Sequence, residues 1–295
     1  MPDAVGFIGL GAMGRPMALN LRKHGVPVVV HNRSHAAERV LAEAGASVAS
    51  SPAAVAAASH TVVLMLPDAP DVAAVLEGPN GLLAGLPRGA VVIDASTIAP
   101  AAARRFAGLV AGRGAAYLDA PVSGGEIGAI DGTLTFMVGG DAEALDAVRP
   151  LLAKMGREDR IVHVGPSGAG QVCKACNQLV IGGTMVAVAE ALALARKTGV
   201  DGAKVRQALM GGFAASRVLG ARRTHAVRPA ASRRVQARLY KKRSADRDRG
   251  PGRGRGGGAR VALVQQLVHA PAGGRRRRRR LLPAAQGIFR LAGLN

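Results

Sequence analysis

The sequence predicts an α/β chain: a doubly wound parallel sheet over residues 1–165, then a long helix and an all-helical second unit over 166–295. Three observations carry this. Short, continuously apolar, β-branched runs alternate with helix-like stretches through the first half of the chain. A glycine-rich turn directly follows the first such run and opens the first helix. From Gly168 to Lys197 the strand signals stop and Ala, Val and Leu dominate, enough for a helix about 40 Å long at ~1.5 Å per residue. A chain of 295 residues is about two domains at roughly 150 residues each.

In chain order, Val5-Gly6-Phe7-Ile8 is the first strand. Residues 17–24 read as a helix with Met17, Ala18 and Leu21 on one side, and residues 26–31 as a second, β-branched strand. A helix is expected over 38–44 and strands over 61–66 and 91–95. Then come a helix over 101–113, a strand starting at 116–119, a strand over 133–138, a helix over 142–155 and a last strand over 161–164. Strands apolar on both faces need cover on both faces, which a parallel sheet with crossover helices supplies. Residues 201–210 read as another helix with Asp201 near its cap.

At 48 % hydrophobic residues the chain has the apolar content for a sizeable core, which excludes wholesale disorder. Two cysteines, Cys173 and Cys176, make no disulfide framework. The start shows no basic segment, apolar run and cleavage site, so no signal peptide is read. The longest suspicious apolar stretch, Leu179 to Ala189, is 11 residues and is interrupted by Gly182 and Gly183, short of the ~20 that a membrane span needs. A cytoplasmic chain without a membrane partner is therefore expected.

The net charge of +21 suggests an anionic partner, but its distribution argues otherwise. Residues 1–219 hold 19 Lys+Arg and 17 Asp+Glu, while residues 220–295 hold 21 and 2. Two kinds of sequence meet near Leu219.

Gly9-Leu10-Gly11-Ala12-Met13-Gly14 is G-x-G-x-x-G in a strand–turn–helix context. The first glycine permits the tight turn, the second lets a pyrophosphate approach the backbone and the third lets helix and strand pack closely. The helix N-terminus adds free N–H groups and the positive end of its dipole. At the end of the second strand, where NAD sites place a carboxylate for the ribose, this chain has Asn32-Arg33-Ser34. A carboxylate repels a 2′-phosphate, whereas an arginine forks onto it. NADP is the expected cofactor and NAD the alternative, with Arg33 then an ordinary surface residue.

Asp119-Ala120-Pro121-Val122-Ser123-Gly124-Gly125 follows a strand, at the sheet edge where open α/β sheets bind ligands. Ser123 and the amides of Gly124 and Gly125 can cup a carboxylate; an ordinary loop is the alternative. Lys174 lies in an apolar helix with Asn177 three residues on, on the same face. Burial favours the neutral amine, which suits proton transfer. The competing reading is a lysine snorkelling near a helix end. Cys173-x-x-Cys176 without a second pair reads as small core residues, not as a metal or redox site.

Together these segments resemble the β-hydroxyacid dehydrogenase family. The resemblance rests on the N-terminal fingerprint, on DAPVSGGEIGAIDG (119–132), GQVCKACNQ (170–178) and QALMGGFAASRVL (207–219), and is nearly continuous over residues 5–219. It implies a Rossmann domain, a long interdomain helix, an all-helical dimerisation domain and a homo-oligomer. It implies that Lys174 is the catalytic acid/base, that Ser123, Gly124, Gly125 and Asn177 surround the substrate, that Met65-Leu66-Pro67 line the cofactor groove and that Thr97 sits near the nicotinamide ribose. The implied reaction is reduction of tartronate semialdehyde to D-glycerate by NAD(P)H. Another small 3-hydroxy acid, such as 3-hydroxyisobutyrate, is the alternative substrate. Lys174 argues against the imine-reducing relatives, which lack that lysine.

After about residue 219 the helical pattern degrades. Family-like scraps return at QARLYKK (236–242), ALVQQLVH (262–269) and IFRLAGL (288–294), separated by GPGRGRGGG and six consecutive arginines, Arg275 to Arg280. Frameshifted sequence explains scraps of this kind. Lys242 then falls where the family has a second active-site lysine, with Arg243 in place of the usual aspartate. The alternative is an inactive relative with a basic, nucleic-acid-binding arm.

Overall fold

The computed structural model describes residues 4–220. β1 (Val5–Ile8) runs through the glycine turn into α1 (Gly14–Lys23), followed by β2 (Val28–His31), α2 (His35–Glu43), β3 (Ser47–Val48) and α3 (Pro52–Ala57). A second set follows: β4 (Thr61–Leu64), α4 (Ala69–Glu77), α5 (Leu82–Gly85), β5 (Val91–Asp94), α6 (Pro100–Ala111) and β6 (Ala116–Asp119). Then come β7 (Val122–Ser123), α7 (Gly125–Ile130), β8 (Leu134–Gly139), α8 (Ala142–Leu152) and β9 (Gly156–Gly165). The helices α9 (Ala169–Lys197), α10 (Gly202–Met210) and α11 (Arg217–Gly220) complete the described chain.

Six strands in the order β3-β2-β1-β4-β5-β6 form one parallel sheet, the doubly wound arrangement of a Rossmann fold. Alternate residues on each strand feed opposite cores. Val5 and Phe7 of β1, Val63 of β4, Ile93 of β5 and Leu118 of β6 pack with Met17, Leu21, Leu41, Leu145 and Leu152 from α1, α2 and α8. Ile8, Leu64, Val92 and Tyr117 pack on the other face with Val55, Leu76, Leu82 and Phe106 from α3, α4, α5 and α6. Each large side chain fully buried this way contributes roughly 1.5–3 kcal/mol, which is why apolar runs of only four residues suffice for a strand.

The sheet is not wholly parallel as expected. β8 lies antiparallel to β6 and β7, and β9 pairs parallel with β8. Only the two-residue β7 and the six-residue α7 separate β6 from β8, so the chain folds back along the sheet edge instead of crossing its face. The six-residue α3 escaped the periodicity reading, and local signals mark both it and the expected α8. Ser51 caps α3 by accepting from Ala54 N, and Pro52 occupies its first turn. Asp141 caps α8 in the same way.

α9 is longer than the 11-residue apolar stretch expected there. Its 29 residues pass through Gly182 and Gly183 without a break, and by length and composition it is apolar enough to cross a membrane, with a mean hydropathy of 1.7 over its most apolar 18 residues. Its first turns are tied to the sheet by side-chain hydrogen bonds of Gln171 and Lys174. The chain divides into two units inside α9, between Val180 and Ile181. In the second unit, Asp201 caps α10 by accepting from Ala203 N, and Arg206 donates to the carbonyls of Leu219 and Gly220. The readings that concern residues 221–295, including Lys242, lie outside the described residues.

Candidate active site

The C-terminal ends of β1 and β4 are neighbours in the sheet, yet the chain leaves them in opposite directions, the switch point at which open α/β sheets bind ligands. A cleft of about 550 Å³ opens there. It is lined by the whole 9–14 turn, by Asn32, Arg33 and Ser34 after β2, by Met65, Leu66 and Pro67 after β4, and by Asp71 of α4. Gly9 adopts φ +98°, and a Cβ on Gly14 would overlap the carbonyl oxygen of Gly9. Both positions thus require glycine. At Gly11 a Cβ would enter open space, so that backbone is free for close approach. α1 has no side-chain cap and no acidic residue in its first turn. These features fit the diphosphate of a dinucleotide.

Asn32 holds the turn in place. Its Oδ1 accepts from Leu10 N at 2.9 Å and its Nδ2 donates to Ser34. The Arg33 side chain is 94 % exposed, with a guanidinium nitrogen 3.9 Å from Asp71. A carboxylate that sequence reasoning missed lies nearby: Glu38 of α2 is buried and accepts from Asn32 N at 2.7 Å, and its other oxygen pairs with His35 Nδ1 at 2.7 Å. It does not line the cleft, so the local chemistry there remains that of Arg33 and Ser34.

A second cluster forms where β6 and β7 meet the start of α9. Lys174 Nζ donates to the carbonyl of Val122 at 2.6 Å, beside Ser123. Gly124 and Gly125 follow at φ +144° and +65°, turning the chain into α7, and both residues are exposed. One turn beyond Lys174, Oδ1 of Asn177 is buried with no hydrogen-bond partner among the described residues. A buried orphan acceptor is costly and calls for a donor.

Two family models match the chain. The NAD binding domain of 6-phosphogluconate dehydrogenase covers residues 4–165, and the NAD-binding domain of NADP-dependent 3-hydroxyisobutyrate dehydrogenase covers 168–242. The 2-hydroxy-3-oxopropionate reductase of Escherichia coli K12 is 46 % identical over 215 residues, 73 % of each chain. The belongings of fold and sequence thus coincide. The chain belongs to the β-hydroxyacid dehydrogenase family. An NAD-dependent L-serine dehydrogenase of Pseudomonas aeruginosa is 47 % identical over 206 residues, 70 % of this chain and 68 % of its own. The 3-hydroxyisobutyrate dehydrogenase of Mycobacterium tuberculosis, solved with L-serine, superposes with a TM-score of 0.70 at 35 % identity, covering 75 % of this chain and 74 % of that one. The family consists of NAD(P)-dependent dehydrogenases acting on a hydroxyl group.

In this dehydrogenase the cleft gathers every expected cofactor residue from Gly9 to Pro67, while Thr97 lies outside its lining, half-buried between Ser96 and Ile98. Ser123 and Lys174 come together through the Val122 carbonyl. What joins the two clusters is a buried network that the sequence does not announce. Asp119 accepts from Gly168 N at 2.6 Å and Gln171 N at 2.9 Å, capping α9. Asp94 accepts from Tyr117 Oη at 2.6 Å and Ser96 N at 2.9 Å.

Burial pushes the Asp94 carboxyl up to about 6, against the opposing effect of its hydrogen bonds from Ser96 and Tyr117. Asp119 is raised for the same first reason, held back by the backbone N–H groups of α9. The folded Asp94 therefore binds its proton more tightly than the unfolded chain does. Its contribution to stability is complete below about pH 4 and is lost as pH rises through about 6. From the shift to about 6, the loss is on the order of 3 kcal/mol. Asp94→Asn is expected to remove that slope. Denaturant titrations of both chains from pH 4.5 to 7.5 check it, and parallel stability curves would count against it.

Proposed function

We propose that this dehydrogenase reduces tartronate semialdehyde to D-glycerate with NADPH, Lys174 acting as general acid. The observation that carries the reading is the pairing of Lys174, held on the Val122 carbonyl beside Ser123, with the orphan Oδ1 of Asn177 one turn away. The 46 % identity to the E. coli reductase supports the choice of substrate.

Residues Gly9 to Gly14, Arg33, Ser34 and Met65 to Pro67 would hold the dinucleotide, and Thr97, outside the lining of the cleft, would be the expected contact of its nicotinamide ribose. When bound, the reduced nicotinamide supplies the hydride that goes to the aldehyde carbon. Lys174 Nζ gives a proton to the carbonyl oxygen, so that aldehyde becomes alcohol and the amine is left neutral. The Val122 carbonyl fixes the direction of the ammonium before the transfer. Asn177 Oδ1 accepts from the substrate hydroxyl, relieving its own burial. Ser123 and the amides of Gly124 and Gly125 take the carboxylate.

Steady-state kinetics of the full chain on tartronate semialdehyde, methylmalonate semialdehyde, 3-hydroxyisobutyrate and L-serine test the substrate. The highest kcat/KM is expected for tartronate semialdehyde, and a higher value for L-serine or 3-hydroxyisobutyrate overturns that choice. NADPH is expected to bind more tightly than NADH. Arg33→Asp should reverse the order, because a charge-assisted hydrogen bond is replaced by repulsion, roughly tenfold or more in the ratio of dissociation constants. Fluorescence titration with both cofactors reads this, and an unchanged ratio removes Arg33 from the 2′-phosphate.

A further inference from the structure

Gln171 precedes Lys174 by one helical turn and is only 2 % exposed. Both ends of its carboxamide are used. Its Oε1 accepts from Ile98 N at 3.0 Å and its Nε2 donates to the Ser96 carbonyl at 2.8 Å. The partners leave no ambiguity about which end is oxygen, since Ile98 N–H only donates and the Ser96 carbonyl only accepts. The side chain thus clamps the main chain on both sides of Thr97. Its own backbone N–H is fixed separately, on the Asp119 carboxylate.

Ser96 carries the link onward. It is fully buried, and its Oγ accepts from Leu66 N at 2.9 Å, where Leu66 lines the dinucleotide cleft. The start of α9 is therefore bonded to the loop after β5 through Ser96–Ile98 and to the end of β6 through Asp119, Ser96 passes the link to Leu66 after β4, and Lys174 reaches β7 through Val122. All these groups belong to the first unit, which ends at Val180.

We propose that Gln171 is a positioning residue that holds Lys174 in register with the 96–98 segment at the edge of the dinucleotide cleft. The inference rests on the reading of Lys174 as proton donor and of the cleft as the dinucleotide site. Hydride and proton must reach adjacent atoms of one carbonyl group, and the hydride source and the lysine are carried by different elements. A carboxamide is suited to couple them because it offers one donor and one acceptor in a single plane. A carboxylate keeps the acceptor for Ile98 N but sets two oxygens against each other at Ser96. Leucine of similar size leaves the Ile98 N–H and the Ser96 carbonyl without partners.

The test compares the full chain with Gln171→Leu and Gln171→Glu. Gln171→Leu is expected to lower kcat on tartronate semialdehyde by about 10–100-fold, the scale of a misplacement near 1 Å. The Kd for NADPH should stay within about threefold, because the 9–14 turn and residues 32–34 are untouched. The kinetic isotope effect with deuterated NADPH should rise as hydride transfer becomes more rate-limiting. Gln171→Glu should recover as pH falls and its protonated carboxyl regains a donor for Ser96, a pH profile that the native chain lacks.

Two readouts need no turnover. Amide exchange at Ile98 and the rate of Lys174 trinitrophenylation by trinitrobenzenesulfonate, in which the neutral amine displaces sulfite from the ring, should both increase in Gln171→Leu. A variant that melts lower but keeps the native kcat, isotope effect and Lys174 labelling rate would show a scaffold residue only and overturn the proposal. A native chain inactive on all semialdehydes speaks against the substrate reading; the Lys174 labelling rate then decides the Gln171 link by itself, faster labelling supporting it and an unchanged rate refuting it.

Discussion

Lys174→Ala is expected to lower turnover of tartronate semialdehyde by ~10²–10⁴-fold, the usual contribution of a positioned general acid. The loss should fall on kcat, with NADPH affinity nearly unchanged, because Lys174 bonds to Val122 and does not line the dinucleotide cleft. Lys174→Arg separates charge from proton donation. It keeps the cation and a donor for the Val122 carbonyl, but a guanidinium does not give up its proton near neutral pH, so its turnover should be as low as that of the alanine variant. A loss below about tenfold in Lys174→Ala, roughly 1.4 kcal/mol of barrier, would remove the lysine from proton transfer.

Gly14→Ala is expected to be the most damaging methyl group in the nucleotide domain. The added Cβ would overlap the carbonyl oxygen of Gly9, which is backbone and cannot rotate aside. Relief requires α1 to move away from β1, at about 1–3 kcal/mol for overpacking of this kind. The turn then opens, and dinucleotide binding should weaken at least ~10-fold as the N–H groups lose their common aim. Gly11→Ala is the control, since its Cβ meets nothing within 4 Å. That variant should melt like the native chain and still bind dinucleotide poorly, because its methyl occupies ligand space alone. Thermal melts and NADPH titrations separate the two effects. Native melting and binding in Gly14→Ala would contradict the close packing of turn and helix.

Much of this was legible in the sequence because it is local. The glycine turn needs only Gly9, Gly11 and Gly14 in order after a strand, and their steric roles follow from the missing Cβ. The 3.6-residue period alone puts Asn177 on the face of Lys174, and the absence of strand signals after Gly168 predicts a helix that the structure runs from Ala169 to Lys197. Even the apolar four-residue strands could be placed, since burial on both faces leaves them no polar alternation.

Contacts between distant segments were not legible. Sequence reasoning found no carboxylate at the end of β2, yet Glu38 returns one there from α2. Asn32 lines the cleft as expected, but its bracing of Leu10, 22 positions away, was not legible. Asp119 read only as the start of a loop; the structure makes it the cap of α9, 49 residues on, and Gln171 reaches Ser96 across 75. The antiparallel return of β8 was likewise hidden. Composition, turn chemistry and periodicity determine which segments become strands and helices and where a glycine is required. Strand order decides which loops become neighbours, and with it which buried donor meets which acceptor, because those pairings depend on separations in space that no local pattern in the chain encodes.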